Sequence, residues 1–303
     1  MLSAATIIQN AYRAGIVVPA FNVPYLPMVK PVIRAVVDQD SFALVEVARI
    51  EWLKFECRGP AFVMEEFKRW AVPDHVRLHL DHIPVIDEDG LSVDYLPIIR
   101  EAIALGYDSV MVDGSLLDLE GNIEATRQVA ALAHEAGIPC EAELGAIVRE
   151  GTGPPMSYEE LFESGTGFTN SEDAVRFVRE TGCDWLSVAV GNIHGAVSGV
   201  LKDKKKTEAR LNLEHLDRLR DATKTPLVLH GGSGVKRDYL LAAVKRGIAK
   251  VNVAFEIRQA YEHSLRASGG EIPAAQEAVY QRTCWLIRDY FGVAGTRRLI
   301  AGG

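Results

Sequence analysis

The sequence predicts an α/β fold, a closed (β/α)8 TIM barrel, and three observations lead to it. Eight short apolar runs rich in β-branched residues recur along the 303-residue chain. Helical periodicities separate them, and nearly every run ends on a polar side chain. Strands that alternate with helices form a parallel sheet, and eight of them favour closure into a barrel. An open doubly wound sheet is the rival arrangement.

The runs are IVVPAF (16–21), FALVEVA (42–48), VRLHLD (76–81), YDSVMVD (107–113), IPCEAEL (138–144), CDWLSVAV (183–190), PLVLH (226–230) and IAKVNV (248–253). Five of them follow directly on a glycine: Gly15, Gly106, Gly137, Gly182 and Gly247. A glycine that ends a helix and then admits a buried strand is the expected αβ junction. The intervening segments 93–106, 122–137, 171–182 and 237–247 carry apolar residues at helical spacing. Residues 1–303 are expected to form a single barrel domain. Its C-terminal helical extension, about 256–303, contains Trp285 and Tyr290 and packs over the barrel or against a neighbouring subunit.

Composition narrows the class. The chain is 48% hydrophobic and 24% charged, with 26 Gly and 13 Pro, enough for a large core and many tight connections. A net charge of -8 and a pI near 5.6 argue against nucleic acid or an anionic membrane as partner. The one basic cluster, Lys202 to Lys206, could hold an anionic small molecule. Cys57, Cys140, Cys183 and Cys284 are too scattered for a disulfide framework, and the sequence shows neither a signal peptide nor a membrane span. A cytoplasmic protein with reduced thiols is the expectation.

In barrel enzymes the chemistry gathers at the C-terminal ends of the strands. Those ends carry Asn22, Glu46, Asp81 and His82, Asp113, Glu143, Asn192 and His194, His230, and Asn252. Any one of these could be a satisfied core group or a helix cap. Three histidines and several carboxylates on one rim are too costly to desolvate without a purpose. His82, His194 and His230 come from strands three, six and seven and can face one centre. Three imidazoles with an open position suit a catalytic zinc that polarises a substrate oxygen. His75, His79, His134, His215 and His263 read as structural, with His79 facing the barrel wall or the surrounding helices. Asp81 and His82 are adjacent, so an extended strand would point them apart and a turn would bring both into the mouth. A metal hydrolase on the same fold is the competing reading; it favours an HxH pair after the first strand, where this chain has FNV.

The motifs LHLDHI (78–83), VMVDGS (110–115), EAELG (141–145), GNIHG (191–195), LHGGSG (229–234) and VNVA (251–254) together closely resemble the class II ketose-bisphosphate aldolases. These include the fructose-bisphosphate and tagatose-bisphosphate enzymes. The match runs in order from VPAFNV at 18–23 to about residue 255, most of the chain. The resemblance implies a zinc-dependent aldolase, with another divalent ion such as cobalt or manganese and an accompanying monovalent cation as further candidates. It implies a sugar phosphate as substrate and a homodimer or homotetramer as assembly. By the same resemblance His82, His194 and His230 are the metal ligands, and Glu143 and Asp113 stand beside the metal. Asp81 is the acid/base at the bond cleaved. Asn252 steadies the enediolate, and Glu150, on the loop after the fifth strand, protonates the carbanion. Asn22, Gly195, Gly231, Ser233, Asn252 and Ala254 bind substrate and its phosphate.

Several positions depart from the family pattern. Glu150 is offset by about one residue. Phe255 replaces a small hydroxyl residue that helps bind phosphate, and Leu116 replaces a histidine. After the second strand stand Glu46, Ala48 and Arg49, where Glu46 would repel an anion unless Arg49 offsets it. These changes point to retained chemistry on a different substrate. The readings carried forward are an aldolase for a ketose phosphate or bisphosphate, a relative acting on a less phosphorylated hydroxy-ketone or keto acid, and a metal-dependent hydrolase or non-catalytic sugar-phosphate-binding barrel.

Overall fold

The computed structural model describes residues 2–145, 148–149, 158–194 and 209–301, with the backbone alone at 148–149, 193–194 and 233. Eight parallel strands close on themselves: β1 Val18–Asn22, β2 Ala43–Ala48, β3 Val76–Pro84, β4 Ser109–Asp113, β5 Cys140–Leu144, β6 Trp185–Val188, β7 Leu227–Leu229 and β8 Ile248–Val253. Each pairs with its neighbours in chain order, and β1 closes the ring against β8 through Ala20 opposite Asn252. This is the (β/α)8 barrel expected, with every predicted run supplying one strand. Outside the ring, Val148–Arg149 pairs with Ile193–His194, so the loops that follow β5 and β6 run side by side.

The helices form for local reasons legible in the sequence. Asn170 caps Ser171–Thr181 by accepting from the Glu172 and Asp173 amides. At the other kind of end, Gly15 adopts φ 63° and donates back to the last turn of Ala4–Ala14, which releases the chain into β1.

Strand alternation sorts the side chains. Val45, Val47, Leu78, Leu80, Val110, Val112, Cys140 and Ala142 belong to the main apolar layer, which contains helix residues such as Val32, Ile99, Val129 and Phe177. A second apolar cluster joins the N-terminal helix to Val18, Ala20, Leu44, Trp185 and Val228. It lies toward the N-terminal ends of the strands, where Arg77 also binds the Leu2 carbonyl. Above it the lumen turns polar.

The C-terminal segment is helical, as expected: Phe255–Ala267, Ile272–Trp285, one wide π-type turn at Leu286–Tyr290, and Arg297–Ala301. Its last helix returns to the N-terminal helix, where Asn10 donates to the Ile300 carbonyl at 2.9 Å. Among the described residues no helix is long and apolar enough to cross a membrane.

Candidate active site

The polar rim is assembled from strand ends. Sequence alone could not say how Asp81 and His82 share the mouth; the backbone answers it. Between Leu80 and Ile83, β3 spends three steps where β4 spends two, from Val110 to Val112. The extra residue makes a bulge, and His82 sits in the left-handed region at φ 34°. Such a conformation in a non-glycine residue costs on the order of 1–3 kcal/mol and occurs where surrounding structure enforces it. Its effect is that adjacent residues both serve one centre. Asp81, His82 and His230 each present a donor atom within 4.8 Å of the others, and His82, Asp113 and Glu143 form a second such set. The His82 and His230 rings meet edge to face, 4.4 Å between centroids. Imidazole nitrogens and carboxylate oxygens are the donors a divalent transition metal takes, so the residues present fit such an ion.

Asp81 is 1% exposed, and both its oxygens are engaged. Asn22 donates to Oδ2 and Asn252 to Oδ1, each at 2.9 Å. Burial pushes its proton affinity up, but the charges on His82, Lys250 and His230 outweigh this and hold the carboxyl well below the usual range. His82 shows the reverse: burial opposes its charge, yet Asp81, the Asp113 hydrogen bond and Glu143 push it up to about 10. Asp113 Oδ2 meets His82 Nδ1 at 3.2 Å, and Ser115 donates its amide and hydroxyl to the other oxygen. Glu143 stands 3.2 Å from His230 Nδ1 and accepts from the Ser187 hydroxyl at 3.3 Å. Asn192 donates to the His230 carbonyl at 3.1 Å, tying the end of β7 to the loop after β6.

The phosphate-binding candidates are partly visible. Gly231 has φ 69° and leads into a 3-10 turn, Gly232–Gly234. A side chain at Gly232 would meet Val251 Cγ1 at 2.1 Å, so the loop's close approach to β8 requires glycine. Ala254 is the residue before the helix Phe255–Ala267. Glu150 and Gly195 lie outside the described residues, as do the side chains of His194 and Ser233.

Two expectations need correction. His79 does not face the wall or the helices. It lies in the lumen, fully buried, with Nδ1 2.8 Å from Ser109 Oγ and Nε2 3.5 Å from Glu141 Oε2. Burial first, then the Lys250 charge, push it down to about 3, so it is neutral. Glu46 does not face a substrate anion. It is fully buried one layer beneath the mouth, 3.2 Å from Lys250 Nζ, and Arg49 pairs instead with Asp87 at 3.2 Å. The physical reason in both cases is alternation: residues two apart on a strand share a face, so His79 joins Asp81, and Glu46 lies two residues below Ala48.

The same alternation exposes residues that sequence reasoning passed over. Glu141 lies two before Glu143, and Lys250 two before Asn252. Glu141 bonds His230 Nε2 at 2.8 Å through Oε1 and Lys250 Nζ at 2.9 Å through Oε2. One ammonium balances one carboxylate. Burial opposes ionisation of Glu141, but Lys250 and His230 bring it down to about 2, while burial and the Asp81 charge push Glu46 well up. Lys250 itself is held above its ordinary range by Glu141 and Glu46 against the cost of burial.

Comparison with known proteins finds relatives over nearly the whole chain. A family profile described as class-II fructose-bisphosphate aldolase matches residues 2–293. A fructose-bisphosphate aldolase of Streptococcus pyogenes serotype M3 is 33% identical over 271 residues, 88% of this chain and 83% of that protein. YdjI of Escherichia coli K12 is 40% identical over 180 residues, 59% of each chain. The crystal structure of the YdjI aldolase superposes with a TM-score of 0.76 at 28% identity, covering 98% of this chain and 100% of that one. A 6-phospho-5-dehydro-2-deoxy-D-gluconate aldolase of Halalkalibacterium halodurans is 34% identical over 191 residues, 63% of this chain and 57% of that protein. The barrel, its polar mouth and the match over nearly the whole length lead to one statement: the chain belongs to the class-II fructose-bisphosphate aldolase family.

Proposed function

We propose that this protein is a divalent-metal-dependent aldolase that reversibly cleaves a phosphorylated ketose into a dihydroxyacetone-phosphate-like ketone and an aldehyde. The observation that carries the reading is Asp81: a buried carboxylate clamped by two amides, with donor atoms of His82 and His230 within 4.8 Å. A metal ion at this position supplies electrophilic stabilisation of negative charge on the ketone oxygens. His82 and His230 would hold it, with His194 as the third ligand by resemblance and Asp113 and Glu143 beside it. Zinc is the ion proposed, with cobalt or manganese as substitutes and a monovalent cation as an additional ion.

Asp81, ionised at neutral pH, takes the proton from the hydroxyl at the bond being broken. Asn22 and Asn252 fix both of its oxygens, so the carboxylate meets that hydroxyl in one orientation. Asn252 Oδ1 is buried without a hydrogen-bond partner among the described residues and is the acceptor available to a substrate hydroxyl. The glycine turn at 231–234 offers backbone N–H groups to a phosphate, a role in which Gly195, Ser233 and Ala254 are assigned by resemblance. Glu150 is assigned the protonation of the carbanion on the same ground. Residues 1–303 are proposed to act as one barrel unit, in a cytoplasmic homodimer or homotetramer, with neither nucleic acid nor membrane as partner.

Three residues favour a substrate other than fructose bisphosphate. Phe255, buried at the start of its helix, offers no hydroxyl to an anion. Ala48 is likewise without a polar group, and Leu116, 60% exposed, lies just beyond β4. A keto-acid phosphate, of the kind named for the Halalkalibacterium relative, is the second reading these changes support. The test is a coupled assay of the zinc-loaded enzyme against fructose bisphosphate, tagatose bisphosphate, their monophosphates and a phosphorylated deoxy-keto acid. Cleavage of at least one, lost on chelation, is expected. Inactivity of fully metallated protein on all of them would sink the aldolase reading.

A further inference from the structure

A second, fully buried polar layer lies beneath the mouth and meets it at His230. Glu46, His79, Glu141 and Lys250 are all fully buried, and they form a continuous column beneath the rim. Desolvating an ion costs several kcal/mol, so the buried Glu141–Lys250 pair at the centre of this layer invites a functional reading. Glu46, His79 and Asp81 have donor atoms close enough together to suggest a second metal position. The Lys250 ammonium, 3.2 Å from Glu46 and 2.9 Å from Glu141, already supplies the cation there.

The column meets the candidate metal ligands at His230. Glu141 reaches His230 Nε2 at 2.8 Å, while the opposite ring nitrogen, Nδ1, faces Glu143 and the donor cluster. A neutral imidazole carries a single N–H, and whichever nitrogen holds it is lost to a metal. A carboxylate oxygen 2.8 Å from Nε2 is placed to accept the N–H there, which directs Nδ1 toward the ion.

We infer that Glu141, oriented by Lys250, is a positioning residue that fixes the tautomer and ring orientation of His230 and thereby sets metal affinity. The inference rests on the metal-centred reading above. His79 and Ser109 support the column from the side, with His79 Nδ1 2.8 Å from Ser109 Oγ and Nε2 4.0 Å from Asp81 Oδ1.

The test is zinc affinity, measured by competition with a chromophoric chelator on the full chain, together with nitrogen NMR of the cadmium-loaded wild type. Glu141→Gln keeps the shape of the side chain but replaces the carboxylate that bridges His230 and Lys250, and zinc binding should weaken by about 10–100-fold. Ser109→Ala, a perturbation of the same layer, should leave it unchanged, and Lys250→Arg should retain most of it. Cadmium coupling should appear on His230 Nδ1. Wild-type affinity in Glu141→Gln, or coupling through Nε2, overturns the inference. The NMR arm decides it even if the variants do not fold. Wild-type protein that binds neither ion would instead sink the metal-centred reading itself.

Discussion

The side-chain amide of Asn252, at the end of β8, donates to Asp81 Oδ1 on β3 at 2.9 Å, across the mouth of the barrel. Asn22 from β1 holds the other oxygen at the same distance, so three strands orient one carboxylate. A hydrogen bond to a charged group is worth about 1.5–3 kcal/mol. Asn22→Ala is therefore expected to lower kcat by roughly 10–100-fold with little change in KM. Asp81→Ala should lower it by at least about 100-fold while zinc content stays constant. Steady-state kinetics with metal analysis checks both, and full turnover in Asp81→Ala would remove the acid/base assignment.

Lys250 is buried, ion-paired and held in its charged form, so it has no lone pair with which to attack a carbonyl. Borohydride added during turnover should trap no lysine adduct. Prolonged chelation should abolish activity and zinc should restore it. A trapped adduct, seen by mass spectrometry, would mean Schiff-base chemistry in place of metal chemistry.

Gly232 is required by its distance from Val251 Cγ1. Gly232→Ala should destabilise the fold by about 1–3 kcal/mol through overpacking and raise KM for phosphorylated substrate. Val251→Ala in the same chain should recover most of the KM effect, because it removes the atom that the new methyl would strike. Thermal melts and kinetics of the double-mutant cycle test this, and simple additivity would count against it.

Phe255 begins the helix after β8 and faces Arg258, whose guanidinium carbon lies 5.4 Å from the ring centre. Phe255→Thr should restore a hydroxyl near the proposed phosphate position and improve kcat/KM for bisphosphates over monophosphates by about 10-fold, a good hydrogen bond's worth. An unchanged preference would show that Phe255 does not govern phosphate recognition.

Glu51 is buried, and burial pushes it up from 4.5 to about 8 against the hydrogen bond it accepts from the Ala48 amide at 2.8 Å. The folded protein thus holds this proton more tightly than the unfolded chain does. Its contribution to stability is greatest below the unfolded value and declines as pH rises from 4.5 to about 8. Glu51→Gln keeps an acceptor for Ala48 and cannot ionise. It should stabilise the protein by roughly 1–3 kcal/mol near pH 9 relative to its effect near pH 4. Urea unfolding of both proteins at the two pH values measures the difference, and equal effects would place Glu51 in a more solvated setting.

The barrel was legible because its strands are local patterns: an apolar run, a glycine before it and a polar tail need no knowledge of distant residues. The rim residues Asp81, His82, Asp113, Glu143, His230 and Asn252 were legible for a related reason, since the C-terminal end of a barrel strand is where polar groups meet. The second polar layer was overlooked although its signal was present. Glu141, Lys250 and His79 each precede a rim residue by two positions, and side chains two apart share a face.

The sequence by itself determined the strand order, the polar rim and the family resemblance, because alternation, periodicity and chain order are properties of neighbouring residues. Tertiary structure alone decided how adjacent Asp81 and His82 enter one site, because a bulge is defined by the register of β3 against β4. It also decided that Asn22 and Asn252 spend their amide donors on Asp81, and that Lys250 neutralises Glu141 under His230. Those pairings depend on distances between strands remote in the chain, which closure of the barrel creates and no local pattern encodes.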